Sequence, residues 1–189
     1  MKDADQRKKV LSIRPYASRI YANDLSVKAI QLLSEKPWFI DMEFRMIGDG
    51  PLFEDTVAPI RKFSNVYIEQ RFLNRNEIAA LHKEYGIFLC PTRMDTQGVS
   101  RDEAMASGLV PVTNAVTAIP EFVDDSCGIL APGEDAEAMA KGISLMYEQP
   151  ERFAAMSAAA ATRVREQSDA QRVIGAELAL VLEDSNPIR

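Results

Sequence analysis

The sequence is poor in the residue types that build metal centres, disulfide frameworks and thiol nucleophiles. Its 189 residues include two cysteines, Cys90 and Cys127, and a single histidine, His82. Two cysteines in unrelated surroundings make neither a disulfide scaffold nor a zinc site, and simple reduced thiols suit a cytoplasmic chain. With no cysteine beside His82, nothing suggests a Cys/His nucleophile pair. Beyond the first ten residues there is no Asp-x-Asp pair to hold a divalent cation, and Asp124-Asp125 adjoins a turn and reads as solvated surface. No apolar run approaches the roughly 18 residues that span a bilayer. A net charge of -6 and a pI near 5.0 argue against a general nucleic-acid binder, whose footprint would be basic.

What is present is an ordinary globular composition, 47% apolar and 26% charged, long enough for one well-filled core. Residues 1–7, charged and without an apolar signal core, are expected to be a flexible arm or the scar of cutting a longer chain. Residues 8–184 are expected to form the domain and 185–189 a tail. Short apolar runs at Lys8–Arg14, Glu43–Ile47, Val66–Glu69, Gly86–Pro91, Leu109–Thr113 and Gly128–Ala131 read as strands. Between them lie helical stretches: from Asn23 through Leu33, Leu52–Phe63, Asn76–Tyr85, Val99–Ser107 and a short turn at Ile119–Val123. From Asp135 the chain is helical throughout, with Ser168 a candidate N-cap for a last helix carrying the apolar stripe Val173, Ile174, Leu178, Val181 and Leu182. The expected class is α/β: a Rossmann-like open parallel sheet of about six strands in the order 3-2-1-4-5-6, with helices on both faces and C-terminal helices.

In such a sheet, ligands bind beyond the carboxyl ends of the strands, and the free amides of a helix start favour phosphate. The stretch Gly86–Val123 has that form: strand, polar loop, helix, strand. Asp95 lies in its loop and Glu103 eight positions later in its helix. The loop after the first strand, Arg14 to Asn23, is long and carries Arg14 and Arg19, which would face the same edge. Gly48-Asp49-Gly50-Pro51 is a tight turn that either brings backbone close to a ligand or merely supplies a connection. His82 is expected to be a partly exposed helix residue without catalytic duty.

Taken in order, Arg14 and Arg19, Gly48-Asp49-Gly50-Pro51, the acid-x7-Glu pattern from Asp95 to Glu103 followed by Ala-Met-Ala-Ser-Gly108, and Ile119-Pro120-Glu121 resemble the nucleotide-sugar domain of glycosyltransferase family 4. The resemblance covers roughly Lys8 to Glu183 and corresponds to the carboxyl-terminal half of these two-domain, GT-B fold enzymes. It implies a retaining, metal-independent transferase with no cofactor and a UDP- or GDP-linked sugar as donor. Arg14, Arg19 and Asp95 would form the catalytic set. The arginines would neutralise the diphosphate and Asp95 would contact the sugar. Gly98, Val99 and Ser100 would offer amides to the diphosphate, Glu103 would hold the ribose hydroxyls, Gly48 and Gly50 would line the site, and the base would contact the Phe72-Leu73 loop. Three departures stand out: Arg19 where lysine is often found, Asp95 where glutamate is usual, and Thr117-Ala118 where glycines are common. The implied partner is an N-terminal acceptor domain packed on the last helix, with any membrane contact left to that absent half. Other readings of the same pattern are a non-catalytic nucleotide-sugar-binding or partner-subunit module and half of a GT-B-fold epimerase.

Overall fold

In the computed structural model, described for residues 2–168 and 170–183, six strands form one parallel sheet. They are β1 (Lys9–Ile13), β2 (Glu43–Gly48), β3 (Val66–Gln70), β4 (Ile87–Leu89), β5 (Val110–Asn114) and β6 (Ile129–Ala131). The order is β3-β2-β1-β4-β5-β6, as expected, with β3 and β6 at the edges. The register runs Val10 opposite Phe44 and Ile87, then Phe44 opposite Val66 and Ile87 opposite Val110. The central strands are buried on both faces, which is why they read as continuous apolar runs and not as alternating ones. Pro111 stands inside β5 without a ladder donor. The amides of Val110 and Cys90 complete the β4 side, and β6 begins only at Ile129 opposite Val112, so the missing donor falls where there is no ladder yet.

The helices are α1 (Asn23–Leu33), α2 (Phe53–Val57), α3 (Arg75–Glu84), α4 (Val99–Ala106), α5 (Ile119–Phe122), α6 (Ala136–Glu148), α7 (Pro150–Ser168) and α8 (Ala170–Glu183). On one side α1 packs against α6 and α2; on the other, α4 packs against α7. Ala29, Ile30, Leu33, Met139, Ile143 and Met146 fill the first layer, and each is fully buried. A second cluster around Leu11, Phe88, Tyr85 and Ala104 lies across the sheet.

Several boundaries differ from expectation for local reasons. The helix expected over Leu52–Phe63 stops at Val57 and tightens into a 3-10 turn at Ala58–Ile60, because Pro59 cannot continue the α-helical ladder. α3 starts one residue early, since Asn74 accepts from the amides of Asn76 and Glu77 while the Glu77 carboxylate returns to the Asn74 amide. Ser168 is the last residue of α7, and the junction residue before α8 lies outside the described residues, as does the expected tail.

Ahead of β1, in the stretch expected as a loose arm, Ala4–Lys8 winds into a 3-10 helix closed by a reciprocal Asp3 and Gln6 cap. Gln6 donates to the Lys83 carbonyl at 2.6 Å and Arg7 to the Tyr147 carbonyl at 2.9 Å. Lys2 reaches the carbonyl of His82. The consequence is a correction: His82 is buried, 4% exposed, edge-on to Phe88, and burial pushes its imidazole down to about 4, with Lys2 adding to the effect.

Candidate functional site

The strand order reverses between β1 and β4, and the loops leaving these two strands are knit together at the carboxyl edge of the sheet. The Arg93 amide donates to the Ile20 carbonyl at 2.8 Å, and the Thr92 hydroxyl lies 3.2 Å from the same oxygen and 2.9 Å from the Met94 carbonyl. Thr92 is itself fixed from β5, its amide donating to the Asn114 side-chain oxygen at 2.8 Å.

Arg14 occupies the junction. It is 7% exposed and donates to the Pro91 carbonyl at 3.3 Å and to the Ser100 hydroxyl at 3.4 Å, with its guanidinium 5.3 Å from the Tyr21 ring centre. Among the described residues its buried Nε has no hydrogen-bond partner and no carboxylate pairs with the guanidinium. A buried cation without a counter-charge is costly unless an anion completes it. Arg19 is exposed and opens a one-turn 3-10 helix, Arg19–Tyr21, capped by Ser18. Its carbonyl accepts from Arg93 at 2.6 Å.

Gly98 begins α4 in the left-handed region, φ +79, and among the described residues no side chain caps this helix. The amides of Val99 and Ser100 are therefore the open donors of a helix start, carrying the positive end of its dipole. Val99 is 62% exposed, Ser100 half-buried and touching Arg14, and Glu103 exposed one turn on. Among the described residues the Glu103 carboxylate makes neither a hydrogen bond nor an ion pair.

Asp95 is half-buried, and Thr117 holds it by the backbone: the Asp95 amide donates to the Thr117 hydroxyl at 3.2 Å, and that hydroxyl donates to the Asp95 carbonyl at 2.5 Å. Thr117 pays for this reach with φ +48, an outlier for a β-branched residue. The glycine-like backbone at this position is what glycine would adopt without strain.

Gly48 and Gly50 are crowded by the chain itself. A Cβ on Gly48 would lie 1.8 Å from the Arg14 carbonyl oxygen, and one on Gly50 would lie 2.4 Å from the Tyr16 carbonyl carbon. Their role is to let the β2 turn pass under the β1 loop, which the Arg14-to-Ile47 and Tyr16-to-Asp49 backbone bonds then fix. Phe72 is 74% exposed and Leu73 packs on the cluster around Leu81. Both follow β3, two strands from β1 and so about 10 Å across the sheet. The Arg71 amide bonds to the Gly48 carbonyl at 3.1 Å and ties that loop to the site.

Three further groups at this edge carry no sequence signal of their own. Arg101, 2% exposed, folds back beneath Gly98, donates to the Gln97 carbonyl and to Asp102 at 2.7 and 3.0 Å, and lies 4.9 Å from the Phe122 ring centre. Burial outweighs the neighbouring guanidinium and holds the Asp102 carboxyl above its ordinary range. Cys90, fully buried nearby, is pushed up to about 11 by burial, so its thiol is inert. In the sequence, an Arg-Asp pair at a helix start reads as solvated charge.

Two cavities flank the junction. One of about 400 Å³ is bounded by Tyr16, Arg19, Asn23 and Asp55; the other, of about 610 Å³, lies between Gln97, Phe122, Val173 and Ile174. Among the described residues, no group of three or more His, Cys, Asp or Glu side chains could hold a metal ion, and no helix is long and apolar enough to cross a membrane.

The sequence model of the family described as Glycosyl transferases group 1 matches residues 7–149. A comparison with curated proteins finds no match. Among solved structures, a point mutant of S. aureus TarM, in complex with fondaparinux, alpha-GlcNAc-glycerol and UDP, is similar with a TM-score of 0.79 at 18% identity over 93% of this chain. The chain spans 35% of the length of that protein. The catalytic domain of the Helicobacter pylori cholesterol-alpha-glucosyltransferase gives 0.71 at 18% identity, covering 85% of this chain and 98% of that one. The C-terminal domain of a Francisella tularensis group 1 glycosyl transferase, LpcC, gives 0.71 at 19%, covering 88% and 93%. At these identities the likeness is one of fold.

Proposed function

The chain belongs to the group 1 glycosyl transferases, and from that membership we propose that it is the donor-binding domain of a retaining, metal-independent enzyme. Its donor is a nucleoside diphosphate sugar. The observation that carries this reading is Arg14: a buried guanidinium at the sheet's switch point, without a carboxylate partner among the described residues, beside the open amides of α4. A diphosphate has the charge and the acceptor oxygens to complete it.

Each residue then has a role its placement suits. Arg14 and Arg19 take up the charge that builds on the departing nucleotide, and burial makes Arg14 the stronger of the two in that task. The amides of Gly98 to Ser100 receive phosphate oxygens. Glu103, with both carboxylate oxygens free of partners among the described residues, accepts the ribose hydroxyls. Asp95 accepts sugar hydroxyls, and the exposed ring of Phe72 and the Leu73 loop meet the base. UDP is the nucleotide to try first, since it is bound in the similar TarM structure. The acceptor comes from a second domain covering α8, whose Ile174, Leu178, Leu180 and Leu182 are more than half exposed.

The test is calorimetric titration of the chain with UDP- and GDP-sugars beside Glu103→Ala and Arg14→Ala. Each variant is expected to bind at least roughly tenfold more weakly, the worth of one charge-assisted contact. Wild-type affinity in both variants would sink the assignment.

A further inference from the structure

We propose that Arg93 is a positioning residue that fastens Arg19 to the loop carrying Asp95; its bearing on donor affinity rests on the function proposed above. All five N–H donors of its guanidinium are used. Nε and Nη2 meet the two oxygens of Glu134 at 2.7 and 2.8 Å, and Nη1 and Nη2 meet the two oxygens of Asp24 at 2.8 Å each. Nη1 also donates to the Arg19 carbonyl at 2.6 Å, while the backbone amide of Arg93 donates to the Ile20 carbonyl. One side chain thus joins the loop after β1, the first turn of α1, the loop after β4 and the turn before α6. Asp95 follows two residues later.

The fork is the point of the arrangement. Two carboxylates gripped side-on and a carbonyl taken by the remaining hydrogen require a planar, five-donor group, which an ammonium cannot imitate. The hydrogen bonds from Arg93 hold the Asp24 carboxyl below its usual range, so the clasp stays ionised wherever the protein is folded near neutral pH. The carboxylates are well exposed, 57% and 61% of their side chains, so the cluster adds little to global stability. Its effect is local. Among the described residues the Arg19 side chain has no comparable anchor of its own: it is exposed, on a single 3-10 turn capped by Ser18.

The experiment uses the full chain, wild type and Arg93→Lys, each with and without Arg19→Ala. Hydrogen exchange over residues 15–22 and 92–98 reads the fastening directly. Arg93→Lys is expected to speed exchange in both segments while the melting temperature stays within about 2 °C. Titration with UDP reads the consequence. Arg93→Lys should weaken binding by roughly 5- to 20-fold in the wild-type background and less than about twofold once Arg19 is alanine, because the two act as a unit. Unchanged exchange in both segments, or equal losses of affinity in the two backgrounds, overturns the proposal. If the wild-type chain takes up no UDP, the donor reading falls, and hydrogen exchange still decides whether Arg93 holds the loops.

Discussion

The hydroxyl of Thr117 bonds both ends of the Asp95 backbone unit, accepting from its amide and donating to its carbonyl. The clasp reaches across from the loop after β5 to the loop after β4, and it requires Thr117 to hold a left-handed backbone that costs about 1–3 kcal/mol in a non-glycine residue. Thr117→Gly should remove the strain and release Asp95 at once. The expected result is a melting temperature equal to or above wild type, with donor-sugar affinity down by roughly 3- to 10-fold, one hydrogen bond's worth. Thr117→Ser keeps the hydroxyl and should keep the affinity. Titrations with UDP and with a UDP-sugar separate the sugar's share; equal binding by the glycine and serine variants would refute the clasp.

Gly48→Ala places a methyl group 1.8 Å from the Arg14 carbonyl oxygen, a backbone atom with no room to yield. We expect a loss of at least about 2 kcal/mol in urea unfolding, together with weaker nucleotide binding, because the displaced residue is Arg14. Gly133→Ala is the control: its nearest neighbour would be 3.5 Å away, and its stability should stay within about 0.5 kcal/mol of wild type. Parallel losses at the two glycines would contradict the crowding argument.

His82 makes stability depend on pH. Its buried imidazole titrates at about 4, against 6.5 in the unfolded chain, so between these values only the unfolded chain takes up the proton. The contribution is whole above pH 6.5, declines as pH falls through the window, and levels off below about 4. From pH 7 to pH 5, wild type should lose on the order of 1–2 kcal/mol more than His82→Leu. Urea unfolding at the two pH values measures it, and equal losses would show that the ring is free to protonate in the fold.

Arg101 and Asp102 form a buried pair, their side chains 3% and 11% exposed. Asp102→Leu leaves the guanidinium beneath Gly98 uncompensated, and the expected cost is about 3–5 kcal/mol. Arg101→Met added to it should recover most of the loss. Additive losses in the double variant, read by urea unfolding, would mean that the two side chains do not act as a pair.

The strand order was legible because each element is punctuated: apolar runs bounded by Pro15, Gly48, Gly108 and Gly128 leave few topologies once crossovers are right-handed. Where the chain's own grammar is local, as at Arg14 after β1 or Gly98 before α4, position in the sequence pointed to position in the fold. Arg93 and Arg101 carried no sequence signal, and Thr117 stood out only as a replaced glycine, because their meaning lies in partners distant in sequence or hidden by burial. Arg93 needs Asp24 and Glu134, and Thr117 needs Asp95. His82 shows the same thing from the other side. The period of α3 sets it beside the apolar face, but its ring lies edge-on to Phe88, and the chain's own start is bonded to the end of that helix, Lys2 to the His82 carbonyl and Gln6 to that of Lys83.

The two rims of the sheet are built to refuse company. β6 is three residues long, and the residue before its first rung faces Pro111, while β3 carries Glu69 held between Arg45 and Arg71. A strand from another molecule would find a ladder too short on one side and a fixed lattice of charge on the other. Edge-to-edge pairing through the sheet is thereby discouraged, even at the concentrations a titration demands.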